Sequence, residues 1–194
     1  THTSTPAGAP AGVLVWVHDQ GANPSRELER LRTVLPNWAI VMPQGLSART
    51  GFAWDERVEL VVVDRLRAFS ATLGARAPRA IIGGEGAAGA MALLVASQHP
   101  DLVAGVLASG PRLATGFEGD VSPTGMRAYL VVHRDDPAQV DQGVAARDHF
   151  VRAKSPVVLE RYPLAKPLEK DRAVLVRALT WLQGQLHRLH LQQG

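Results

Sequence analysis

With 194 residues, 46% of them hydrophobic and 20% charged, the chain carries enough apolar material to bury a single compact core. It contains no cysteine, which excludes disulfides, thiolate nucleophiles and zinc–sulfur sites. The net charge of +3 comes from arginines scattered among acidic residues, with no basic stripe and few interleaved aromatics, so a nucleic-acid partner is not expected.

Thr1 to Pro10 is small, polar and proline-containing and reads as a loose, flexible tail or lead-in. Residues 11–194 read as one domain, without internal repeat or linker. Gly12 to His18 (GVLVWVH) is a near-continuous apolar run, the mark of a buried parallel strand. Ser25 to Leu35 follows as an amphipathic helix with Leu28, Leu31 and Leu35 on one face. Trp38 to Met42 is a second strand, Gly45 to Asp55 a loop, and Val58 to Leu73 a helix burying Val61, Val62, Leu66 and Phe69. Arg79 to Gly83 is a third strand, running into a glycine-rich turn. Ala87 to Gln98 is an alanine-rich helix, and Val103 to Ala108 a fourth strand. Gly110 to Gly125 has no clear pattern, as befits a loop overhanging a site. Ala128 to Val132 is a fifth strand, Val140 to Ala153 a helix and Val157 to Tyr162 a sixth strand. A last helix starts near Pro167 and turns Leu168, Leu175, Leu179 and Leu182 inward. Strand–helix alternation of this kind predicts an α/β domain, a mostly parallel sheet with helices on both faces.

The turn Gly83-Gly84-Glu85-Gly86-Ala87-Ala88-Gly89 supports two readings. Gly84 to Gly89 matches G-x-G-x-x-G between a strand and a helix, as a dinucleotide site requires. That fingerprint normally follows the first strand, however, and the acidic residue expected at the end of the next strand is missing from VAGVLASG. The other reading is a G-x-S-x-G nucleophile elbow, a sharp strand-to-helix turn, with Gly86 in the serine slot.

The string IIGGEGAAGAMALLVASQHPDLVAGVLASG resembles the carboxylesterase/phospholipase family of α/β-hydrolases, which includes acyl-protein thioesterases and typically reads GGFSQGGAMAL at the elbow. The resemblance runs along almost the whole chain. LVWVHDQGAN (Leu14 to Asn23) is similar to the family's LLHGxGAN. VMPQG followed by Phe52-Ala53-Trp54-Asp55 is similar to its AP-x-x…G-x-x-W-x-D stretch. LVVHRDDP (Leu130 to Pro137) is similar to its HGxxDP acid loop, and Arg161-Tyr162-Pro163 begins what is usually Y-x-x-x-GH.

That family hydrolyses esters or thioesters with a Ser–His–Asp triad. The resemblance places the acid at Asp136, with Asp135 beside it, although Asp-Pro also simply makes a turn. It places Gly86 at the serine and Pro167 at the histidine, within one or two residues. The remaining histidines do not replace the missing one. His99 and His149 lie in or at the ends of earlier helices, and His187 and His190 lie far along the last. His18 and His133 match family histidines whose ordinary role is structural hydrogen bonding. With Glu85 or Asp136 they form at most a weak metal-site candidate. Ser109 and Ser122 are conceivable substitute nucleophiles. An oxyanion hole would use the backbone N–H groups of Gln20 and Ala87, but Asp19 and Glu85 put carboxylates beside it.

The resulting expectation is a hydrolase-like fold without a working triad, a pseudoenzyme that binds a small molecule or a protein. The alternative is an esterase using Glu85 or Asp136 as a general base on water. No cofactor is implied. The chain is expected to be cytoplasmic, with neither signal peptide nor membrane span, and a homo-oligomer is compatible with it.

Overall fold

The computed structural model describes residues 1–18, 21–44, 46–48, 51–53, 58–74, 79–114, 117–163 and 172–184. The strands are β1 His2–Ser4, β2 Val13–Val17, β3 Ala39–Met42, β4 Leu46–Ala48, β5 Gly51–Ala53, β6 Ala80–Glu85, β7 Val103–Ser109, β8 Arg127–His133 and β9 Val157–Tyr162. The helices are α1 Pro24–Val34, α2 Val58–Leu73, α3 Gly86–Gln98, α4 Phe117–Asp120, α5 Pro137–Arg152 and α6 Arg172–Leu182.

Seven strands form one sheet in the order β1-β3-β2-β6-β7-β8-β9. All neighbours are parallel except β1, which pairs antiparallel with β3. The segment expected to be a loose tail thus contributes an edge strand, and the expected loop at 45–55 contains the β4–β5 hairpin.

Alternation along the strands builds a core on each face, because successive side chains point to opposite sides. Val15, Val17, Ile82, Ala108 and Leu130 pack with α2, α3 and α5. Leu14, Trp16, Ile40, Leu107 and Val131 pack with α1 and α6. Both faces are covered, which is why β2 and β3 are buried at every position. Leu28, Leu31 and Leu35 are buried as expected, and so are Leu175, Leu179 and Leu182; Leu168 lies outside the described residues. On α2 the stripe is Val62, Val63, Leu66 and Phe69, with Val61 only half-buried.

Two caps explain where helices begin and end. Asn23 accepts from Arg26 N at the start of α1, with Pro24 in the first turn. The end of α5 closes in a Schellman motif, in which Ser155 N donates to Phe150 O and Lys154 N to Val151 O. Lys154 occupies the position usually held by glycine, at φ 55°. A Cβ in the left-handed region costs about 1 kcal/mol, so Lys154→Gly is expected to raise Tm by about 2–4 °C. An unchanged or lower Tm would show that lysine is not strained there.

Candidate functional site

The chain leaves β2 for β3 on one side and then crosses to β6 on the other side of β2. The crevice at the carboxyl ends of β2 and β6 is therefore the switch point where ligands bind in open α/β sheets. The glycine-rich turn ends β6 at this place.

Strand β6 continues through Gly84 and Glu85, which pair with Ala108 and Ser109 of β7. The chain then reverses at Gly86, whose φ is 57°, and α3 starts at Gly86 itself. A non-glycine residue is strained in this left-handed conformation. The helix descends directly over the strand it has just left. A Cβ on Gly84 would lie 2.8 Å from the carbonyl carbon and oxygen of Ala88 and 3.0 Å from Val17 O. The glycines that suggested G-x-G-x-x-G are thus required by the turn and its close packing. The arrangement is that of a nucleophile elbow, with no side chain on its apex.

The helix N-terminus supplies the remaining local chemistry. N–H groups in a first helical turn have no acceptor within the helix, and Ala87 lies in that turn, exposed. Glu85 is the N-cap residue but makes no side-chain capping bond. Asp19, Gln20 and Pro167 lie outside the described residues.

Two strand spacings across the sheet, roughly 10 Å, the carboxyl end of β8 brings His133 and Asp136 to the same pole. Asp136 accepts from Gln139 N at 3.1 Å and caps α5, with Pro137 in the first turn. This is the turn-making reading of Asp-Pro in physical form. Its neighbour Asp135 pairs with Arg134 at 3.5 Å in an exposed position. The Nδ1 atom of His133 is buried and has no hydrogen-bond partner among the described residues. His18 is fully buried just beyond β2.

The substitute nucleophiles are poorly placed. Ser109 is buried at the end of β7. Ser122 precedes β8 and so lies at the opposite, amino pole of the sheet, where its Oγ donates to Thr124 Oγ1 at 3.5 Å. His149 contacts Val121 O through Nε2 at 2.6 Å, and His99 ends α3, far from the elbow. Among the described residues, no three histidine, aspartate or glutamate side chains gather to hold a metal ion.

Contacts that sequence reading did not find join the overhanging loop to the elbow. Arg112 N donates to Gly86 O at 3.1 Å. Gln142 Oε1 accepts from Leu113 N at 3.4 Å, and Gln139 Oε1 from His133 N at 3.3 Å. The first turns of α5 therefore hold both the loop after β7 and the end of β8. A glutamine pair spaced at i and i+3 behind Asp-Pro was the available signal. On the α6 side, Tyr129 donates to Glu160, which pairs with Arg177. Burial first, then Glu160, raises the Tyr129 phenol above its ordinary range. This cluster fastens β8, β9 and α6 together, away from the elbow.

No family profile and no curated protein matches the sequence. Solved structures do. A protein of unknown function from Agrobacterium tumefaciens superposes with TM-score 0.71 at 18% identity, over 91% of this chain and 95% of that one. Acyl-protein thioesterase 2 from Zea mays superposes with TM-score 0.70 at 18% identity, over 94% and 98%. A carboxylesterase from Mesorhizobium loti gives TM-score 0.66 at 18% identity, over 89% and 88%. With the sheet order and elbow geometry, these similarities show that the chain has the α/β-hydrolase fold.

Proposed function

We propose that this chain is a non-catalytic α/β-hydrolase-fold protein that uses the switch-point crevice to bind a small molecule or a protein partner. The observation that carries the reading is Gly86, which occupies the left-handed apex of the elbow with φ 57° and offers no nucleophile. A serine there is tolerated only at an energetic cost that catalysis justifies, and glycine adopts the same backbone freely. The resemblance also puts Pro167 where the histidine base would stand. On the same resemblance Asp136 is the one triad position that keeps its residue type, and its Oδ1 accepts from Gln139 N at the α5 cap.

The competing esterase reading needs Glu85 or Asp136 to deprotonate water. It is tested by hydrolysis of p-nitrophenyl acetate and butyrate by the protein, beside Glu85→Gln and Asp136→Asn. The expected result is no saturable turnover, with all three proteins at the buffer rate. A saturable rate abolished by either substitution would overturn the proposal.

A further inference from the structure

A second concave region lies at the other pole of the sheet, where the parallel strands begin. Six residues of β6 separate it from the elbow, about 17 Å along the strand. It has two adjoining parts that share Arg79, Ala104, Leu182 and Gln183. The first, about 260 Å³, has a mixed wall, with Val13, Trp38, Ile81 and Leu182 on its apolar side and Arg79 and Gln183 on its polar side. The second, about 580 Å³, carries Arg79, Arg127 and Lys154, and no acidic side chain lines it among the described residues.

The three cations are not equivalent. Arg79 donates to Pro100 O at 2.8 Å, in the turn that follows α3. Arg127 stands half-buried beside Gly184. Lys154 is exposed and holds the left-handed position that glycine would fill with less strain. Lys154 thus sets a cation at the rim of the groove, just past the carboxyl end of α5.

We propose that this amino-pole groove binds an amphipathic anion, its apolar chain against Trp38 and Ile81 and its phosphate or carboxylate head between Arg127 and Lys154. The apolar side of the first part gives an alkyl chain a place to pack beside the cationic second part, and charged hydrogen bonds supply the head-group selectivity. The site is independent of the elbow, so its fate leaves the reading of Gly86 untouched.

Calorimetric titration of the full chain with octyl phosphate, below its micelle concentration, tests the proposal. Binding is expected for octyl phosphate, with inorganic phosphate weaker and octyl glucoside silent. Octanoate binding as well as octyl phosphate would identify a carboxylate head, and weaker octanoate binding a phosphate head. Arg127→Gln with Lys154→Gln should weaken octyl phosphate about tenfold or more. Lys154→Gly should weaken it while raising Tm, which separates lost affinity from lost folding. No binding of either anion at millimolar concentration, equal binding of octyl glucoside, or affinity unchanged by the substitutions would overturn the proposal.

Discussion

Gly84→Ala is expected to destabilise the protein by about 3 kcal/mol, lowering Tm by about 6–12 °C for a chain of this size. The added methyl would stand 2.8 Å from the backbone of Ala88 and 3.0 Å from that of Val17. These are main-chain atoms of α3 and β2, so no side-chain rotation relieves the overlap. Either α3 lifts from β6 or β6 separates from β2, and both movements open the core that Ala88, Ala92 and Val95 fill. Urea unfolding of the two proteins measures the difference. A loss below about 1 kcal/mol would mean that α3 does not approach β6 as closely as the structure shows.

The same closeness sets the functional geometry. Small residues in the first turns of α3 let the helix begin directly above the end of β6, which leaves Gly86 projecting at the switch point. Packing thus creates the elbow, and chemistry would require only a suitable side chain at its apex.

Much of this was legible in the residues. The α2 and β9 boundaries follow directly from periodicity, at Val58–Leu73 and Val157–Tyr162. Four terminal or edge features were not legible. His2–Ser4 is a short polar strand on the sheet edge, where one face stays wet and little hydrophobic pattern is needed. The β4 and β5 strands have three residues each, too few for alternation to register. Gly84 and Glu85 extend β6 because β7 pairs with them, although glycine is a poor strand former by itself. Helix α5 starts at Pro137, three residues before Val140, because Asp136 caps it. Apolar periodicity locates a helix's buried face better than its first turn.

At the site, the sequence pattern located the elbow, since strand, glycines and helix fall in order along a short stretch. It left Asp136 open between acid and turn, because both roles use Asp-Pro. The hydrogen bonds from Gln139 and Gln142 were invisible, since they link a helix to loops distant in sequence.

The second large effect concerns activity. Gly86→Ser combined with Pro167→His should restore a nucleophile and its base to the positions assigned by the resemblance. Positioned general-base catalysis contributes roughly 10²–10⁴-fold, so a gain of about 10²-fold in p-nitrophenyl butyrate hydrolysis over the parent is expected. Neither single substitution should reach it, because a serine without its base is a weak nucleophile. Serine at φ 57° also costs about 1–2 kcal/mol, so the double variant should melt below the parent.

The most direct measurement of the central claim is therefore the initial rate of p-nitrophenyl butyrate hydrolysis by the parent and the double variant, side by side under identical conditions. A parent at the buffer rate and a variant about 10²-fold faster would show an elbow that lacks only its catalytic side chains. Saturable turnover by the parent, undiminished or lost in the double variant, would contradict a non-catalytic Gly86 elbow.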